Sequence, residues 1–289
     1  MTGPLLDLAS RFRLARRSGG YGGDCPACGY ADAFTARKTR EGRTVLHCFN
    51  GCARDTLYDA ARSALGSGWT PPPRPDEDKV RKVRQDRQDA AQRLWRRSAP
   101  CHGTLANTYL VRRGIGHVAT SSAVRFQPDC PHPGGARYPA LVAAVLDGAG
   151  AFRGVHRTYL APDGRKATLD PPRASLGHLW GAAVHLDPCG PALVVGEGIE
   201  SSASAGLVLG LPAWAALSAG NLCALVLPPA VRRVVVAVDH DAAGQRHADA
   251  AALRWRGEGR TVQLAMPDRP GQDFNDLVQA RAAAEVPHG

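Results

Sequence analysis

No apolar run in the chain approaches the ~18 residues that a membrane-spanning helix needs, so nothing in it asks for a bilayer. Aromatic residues are scarce at 6%, while hydrophobic residues as a whole reach 44%. Packed cores are therefore expected, built mainly of aliphatic side chains and alanine. The pattern Gly-x-x-x-x-Gly-Lys-Ser/Thr, whose backbone N–H groups cradle phosphates, does not occur. An ATPase or a fused motor of that class is not expected. Met1 to Ser10 has no basic start followed by an apolar core, so a secretory leader is not expected and a cytoplasmic setting is. Acid is the scarcer charge: Lys and Arg number 36 against 26 Asp and Glu, a formal net charge of +10. That excess favours a polyanionic partner, nucleic acid being the commonest. An Arg- and Ala-rich chain can also run basic without one.

What is present centres on Val234-Val235-Val236-Ala237-Val238, followed at once by Asp239-His240-Asp241. Such a run reads as a strand buried on both faces, as in a parallel sheet covered by helices. In extended backbone Asp239 and Asp241 point to the same side. Two carboxylates converging on one point either form a solvated acidic turn or hold a hard cation such as Mg²⁺ or Mn²⁺. A second apolar strand, Ala192 to Gly196, ends in Glu197-Gly198-Ile199-Glu200. A helix from Ser201 to Leu209, a strand from Ala213 to Leu217, a helix from Ala243 to Arg256 and a strand from Thr261 to Met266 complete a β/α alternation. That alternation predicts a parallel sheet with crossover helices, whose polar site lies beyond the carboxyl ends of its strands. Glu197, Asp239 and Asp241 then share one edge by topology alone.

The order Glu197-Gly198, then Asp239-His240-Asp241-Ala242-Ala243-Gly244, resembles the Toprim domain of primases and topoisomerases. Pro270-Gly271-Gln272-Asp273-Phe274-Asn275-Asp276-Leu277 is similar to the acidic segment near the end of primase-type Toprim domains. The resemblance implies Glu197, Asp239 and Asp241 as catalytic residues, with Asp273 joining them around Mg²⁺ or Mn²⁺. It departs at position 201, where a Ser stands in place of a further acid and Glu200 is the nearby carboxylate. Whether Glu200 or Asp276 joins the metal site is left open by the sequence.

Cys25-Pro26-Ala27-Cys28 is followed by His47-Cys48-Phe49-Asn50-Gly51-Cys52. Two such pairs can close a tetrahedral four-sulfur site, and a reducing cytosol favours structural zinc over disulfides or free thiols. The gap has room for a hairpin of Phe34 to Arg37 and Arg43 to Leu46 about Glu41-Gly42. This segment resembles the zinc-binding domain of bacterial and phage primases, which implies Cys25, Cys28, Cys48 and Cys52 as ligands with His47 a neighbour. Cys101, Cys130, Cys189 and Cys223 have no ligand-like spacing.

Four domains or segments are expected: a zinc-binding domain at 1–66, a Pro-rich linker at 67–78, an α+β subdomain at 79–189 and the Toprim domain at 190–289. Lys79 to Arg97 reads as a helix with basic excess, either a phosphate-contacting face or an ordinary solvated one. Asn107-Thr108-Tyr109-Leu110-Val111-Arg112-Arg113-Gly114 is similar to the stretch opening the primase catalytic core. By that resemblance Arg157, Lys166 and His156 are expected to meet template or nucleotide. The fold class is thus α/β, a Toprim-type parallel sheet preceded by an α+β subdomain and a small zinc-binding β domain.

The resemblance implies a primase-like nucleotidyltransferase of the phage, plasmid or mobile-element type. Its partners would be single-stranded DNA, nucleoside triphosphates and a separate helicase acting in trans. A Toprim nuclease and a non-catalytic nucleic-acid-binding accessory protein are the rivals. The basic charge generates one prediction. Affinity for single-stranded DNA should fall steeply between low and moderate salt as bound counterions are released; a flat titration would contradict it.

Overall fold

The computed structural model describes residues 3–17, 19–30, 33–39, 41–48, 52–66, 69–240 and 242–284. The chain divides into two compact units, Met1–Glu77 and Asp78–Gly289.

In the first unit, helix α1 (Pro4–Arg11) opens on a proline. The missing proline N–H costs nothing there, because the first helical N–H groups have no intrahelical partner. Strands β1 (Ala15–Arg17), β2 (Gly20–Gly23), β3 (Phe34–Lys38) and β4 (Thr44–Cys48) form an antiparallel sheet in chain order. Helix α2 (Arg54–Leu65) follows, and Leu8, Phe34, Leu57, Tyr58 and Ala61 close a small core. The proline-rich segment is held at its described start. Trp69 stacks on Tyr58 at 6.0 Å, Arg54 donates to the Pro72 carbonyl at 2.6 Å, and Arg74 pairs with Asp55.

The second unit opens with α3 (Glu77–Arg97), on which Lys79, Arg81, Lys82, Arg84, Arg87, Arg93, Arg96 and Arg97 are all exposed. Its Ala91 and Leu94 cover one face of an antiparallel sheet ordered β5 (Ala99–Pro100), β6 (Val124–Pro131), β7 (Arg137–Leu146), β8 (Phe152–Tyr159), β9 (Arg173–Gly177). Helix α4 (Leu105–Arg112) and a 3₁₀ turn (Gly116–Thr120) precede β6. Strand alternation splits β7 between two cores: Ala140 and Val142 lie under α3, whereas Leu141, Ala143 and Val145 join the core shared with the second sheet.

That second sheet is ordered β10 (Val184–His185), β12 (Ala213–Ala215), β11 (Ala192–Gly196), β13 (Arg233–Ala237), β14 (Thr261–Ala265), and only β10 runs antiparallel. The predicted parallel sheet with crossover helices is therefore present. Helix α5 (Ile199–Leu209) links β11 to β12, and α6 (Ala219–Ala224) carries the chain back across β11 to β13. Helix α7 (Ala242–Gly257) then leads to β14, and α8 (Phe274–Ala284) follows. Val194 and Val235 face α5 and Phe274 of α8, while Leu193, Val195, Val234 and Val236 face Ala248, Ala251 and Trp255 of α7. Both faces are covered, which is why the strands read as continuous apolar runs. Two-residue β10 and six-residue α6 carry too few residues for a periodic signal, and the sequence pattern missed both. Among the described residues no helix is long and apolar enough to cross a membrane.

Asn275, only 1% exposed, ties α8 inward: its amide donates to the Arg113 carbonyl at 2.7 Å and to Ser204 Oγ at 3.0 Å. Its Oδ1 accepts from Arg113 at 3.2 Å. Asn275→Ala should lower stability by about 1–3 kcal/mol, since buried partners lose their bonds without gaining water. Urea melts of the two proteins check this; equal midpoints would contradict it.

Candidate active site

Strand β11 sends its next strand, β12, to one side and β13 to the other, so a topological switch point lies between β11 and β13. Ligands of open α/β sheets bind outside the strand ends at such a point. Gly196 stands opposite Ala237 in register, which puts Glu197 and Asp239 just past the ends of neighbouring strands. A side chain at Gly196 would meet Ser202 Oγ at 2.7 Å, so glycine lets α5 start hard against the sheet.

Around that edge lies a cavity of about 190 Å³ lined by Arg113, Lys166, Arg173, Glu197, Gly198, Glu200, Ser201, Leu217, Asp239 and Asp273. Ser201 Oγ donates to Asp239 Oδ1 at 3.2 Å and so orients that carboxylate. Leu217 has φ of 72°, in the left-handed region, and its N–H donates to the Glu197 carbonyl at 2.7 Å. A branched side chain there costs about 1–2 kcal/mol, and the strain sits on the wall of the cavity.

Asp273 is brought to the cavity by His240. Gln272 accepts from the His240 N–H at 3.0 Å, His240 accepts from the Gly271 N–H at 2.9 Å, and the ring Nδ1 lies 2.8 Å from the Pro267 carbonyl. Asp273 then caps α8: its Oδ1 accepts from the Asp276 N–H at 2.9 Å, and Asp276 Oδ2 accepts from the Asp273 N–H at 3.0 Å. This reciprocal capping box gives Asp276 a structural use. Asp241, expected beside Asp239, lies outside the described residues.

Arg113, Lys166 and Arg173 line the same cavity as the acids. The turn after β8 delivers Lys166, with Leu160 and Lys166 bridged and Gly164 at φ 78° closing the bend. Glu200, in the first turn of α5, is largely shielded, its side chain 13% exposed. Its Oε1 accepts from the Tyr109 hydroxyl and lies 3.6 Å from Lys166 Nζ. Burial pushes this carboxyl up, but Lys166, the Tyr109 hydroxyl, its own backbone N–H and Arg173 outweigh burial and bring it below its ordinary value. The same burial, with Glu200 beside it, drives the Tyr109 phenol well up.

His156 and Arg157 part company because neighbours on a strand face opposite ways. His156 is buried with Nδ1 3.1 Å from Ser175 Oγ. Burial lowers it to about 4, opposed by Glu200 and helped by Arg173, Arg157 and Lys166, so the ring is neutral. Arg157 points to the α3 side, where it donates to the carbonyls of Ala174 (3.2 Å), Pro131 (2.8 Å) and Ser175 (3.3 Å). Its guanidinium thus lies among backbone carbonyls rather than on the cavity wall. Tyr109, Arg113, Arg173 and Ser201 were not assigned from sequence. The Tyr-Leu-x-x-Arg-Gly stretch marked the first two as a segment, and nothing but charge marked Arg173.

Chemically, Glu197, Asp239 and Asp273 offer hard oxygens without converging on one point. Among the described residues the only group of three or more metal-binding side chains close enough to share an ion is Cys25, Cys28, Cys48 and Cys52. Mg²⁺ keeps several waters and takes one or two protein carboxylates plus substrate phosphates, so an open set of acids fits it.

The four cysteines fit zinc closely. Their sulfurs lie within 4.8 Å of one another, with Cys25–Cys52 and Cys28–Cys48 each at 3.9 Å. A tetrahedron with Zn–S of about 2.3 Å has edges of about 3.8 Å. Gly29 at φ 70° turns the chain after Cys28, and its N–H donates to the Cys25 carbonyl at 2.7 Å. Burial pushes the Cys25 thiol up to about 11 and Cys52 higher still, so binding a metal must displace protons. His47 is exposed and outside the set. Freshly purified protein should carry about one zinc per chain, as four thiolates close one tetrahedral site. Cys25→Ala or Cys52→Ala should lose it; elemental analysis decides, and zinc-free wild type would contradict the assignment.

Residues 192–284 match the Toprim domain family, and residues 85–186 match a domain of unknown function (DUF7146). No curated protein sequence matches the chain. Among solved structures, the DnaG catalytic core is 18% identical, with 71% of this chain and 77% of that one aligned at a TM-score of 0.47. The zinc-binding and RNA polymerase domains of Aquifex aeolicus primase are 15% identical, over 98% and 81% of the two chains, at 0.48. The primase fragment of the bacteriophage T7 primase-helicase protein is 16% identical, over 92% and 98%, at 0.41. With its acids at the switch point and the family match over the same strands, residues 192–284 form a Toprim domain.

Proposed function

We propose that the chain is a primase-like nucleotidyltransferase that makes short primers on single-stranded DNA from nucleoside triphosphates. The observation that carries this reading is the polarity of one small cavity. Glu197, Asp239 and Asp273 line it together with Lys166, Arg173 and Arg113. Acids suit divalent cations and clustered cations suit the phosphates those cations accompany, so the two sets together fit a metal–triphosphate.

In this reading Asp239, oriented by Ser201, and by sequence Asp241, hold Mg²⁺ or Mn²⁺, with Asp273 at the rim. A bound ion of this kind neutralises charge at the transferred phosphate and lowers the pKa of an attacking 3′-hydroxyl. Glu197 takes the proton of that hydroxyl or joins the metal ligands. Lys166 and Arg173 meet the phosphates, while His156, neutral and buried, supports the wall behind them. The zinc-bearing unit binds template. A cytoplasmic setting keeps its thiols reduced, and a separate helicase supplies unwinding in trans.

The test is synthesis from labelled triphosphates on unprimed single-stranded DNA, with and without Mg²⁺. Asp239→Asn keeps the shape and removes a metal-binding charge, so synthesis should fall by at least about a hundredfold, with DNA binding retained. Glu197→Gln should behave alike. Wild-type synthesis by Asp239→Asn would sink the assignment. Cleavage of DNA by wild type without synthesis would favour a nuclease, and binding alone an accessory protein.

A further inference from the structure

We infer that Glu200 is a positioning residue for the phosphate side of the cavity, holding Lys166 and Tyr109 on one carboxylate oxygen rather than serving as a metal ligand. The inference rests on the reading that a nucleoside triphosphate binds there.

Glu200 is a carboxylate with its side chain only 13% exposed, and a buried charge persists only when its partners satisfy it. The partners come from three places. Tyr109 of α4 donates to Oε1, Lys166 from the turn after β8 lies 3.6 Å from the same oxygen, and the first turn of α5 supplies its N-terminal dipole. Tyr109 is itself fixed, 2% exposed, with the Arg113 guanidinium 5.8 Å above its ring. One of the two Glu200 oxygens already meets a phenol and an ammonium, so much of the charge a cation would seek is already compensated. Asp239 accepts from Ser201, and Asp273 caps the start of α8.

Lysine is a point charge on a flexible four-carbon stem. Here its side chain is 27% exposed, yet Glu200 fixes where the ammonium stands before ligand arrives. Fixing it beforehand removes the ordering cost that binding would otherwise carry. Charge alone makes the opposite prediction. Removing Glu200 raises the positive charge of the cavity and would tighten binding of an anion.

The experiment uses the full chain and N-methylanthraniloyl ATP as fluorescent probe in the presence of Mn²⁺. Glu200→Gln should weaken probe binding about tenfold, and the Glu200→Gln/Lys166→Ala double variant should bind no more weakly than Lys166→Ala alone, as expected of contacting residues. Mn²⁺ affinity without nucleotide, read by electron paramagnetic resonance, should be the same in Glu200→Gln and wild type. Tyr109→Phe, which keeps the ring and removes only the hydroxyl, should weaken the probe about threefold, and not further in the Lys166→Ala background. It keeps the question decidable if Glu200→Gln fails to fold. Unchanged or tighter probe binding by Glu200→Gln, additive losses in the double variant, or loss of Mn²⁺ would each overturn the inference. Wild type that binds no probe would remove the triphosphate reading, and this one with it. Wild type that binds, beside a Glu200→Gln variant that binds equally, removes this one alone.

Discussion

The connections leaving β11 in two directions constrain everything else at the site. Because β12 lies on one flank and β13 on the other, the loops after β11 and β13 diverge and leave a gap that no crossover helix fills. Glu197 and Asp239 border that gap because they follow the strands directly. Gly196 keeps α5 close enough for Ser201 to reach Asp239 across it. The turn after β8 and the start of β9 then add Lys166 and Arg173 to its lining, so a groove that would hold only acids becomes polar in both senses. Neither half makes this arrangement by itself.

The sequence was most legible where one local pattern decides the outcome. Val234 to Val238 announced a strand covered on both faces, and β13 is one, shifted by a single residue at each end. The cysteine spacing announced a four-sulfur cluster, since ligand number and tetrahedral geometry leave few alternatives. It was least legible where a side chain's role depends on a partner far along the chain. Glu200 reads as a helix-face residue until Tyr109 and Lys166 are brought against it. His156 and Arg157 look equivalent as basic neighbours, yet strand alternation sends one toward the acids and the other to a row of carbonyls. Asp273 and Asp276 both looked like ligand candidates, and only the helix start distinguishes a cap from its partner.

Net charge misleads for a related reason. Several arginines are internal fasteners rather than surface cations. Arg260 donates to the carbonyls of Pro228, Leu227 and Val231, Arg254 to those of Cys223 and Leu225, and Arg125 to that of Trp95 while lying 4.3 Å over its ring. A planar fork of donors suits this task, because it satisfies two or three helix-end or loop oxygens at once. Exposed cations are instead numerous on α3, where all eight face solvent.

The Asn275 tether has a consequence in time. Its bonds to Arg113 span 162 positions, and the Tyr109–Glu200 bond spans 91. Loop closure over such distances carries an entropic cost that must be met before the contact returns anything, and long-range pairing slows folding. On a ribosome the antiparallel sheet can form as soon as β9 has emerged. The cleft waits for α8, whose Phe274 packs on the second sheet and whose Asn275 bonds Arg113 and Ser204, all of which precede it in the chain. During that wait the apolar surface that later packs against Phe274 is open to solvent.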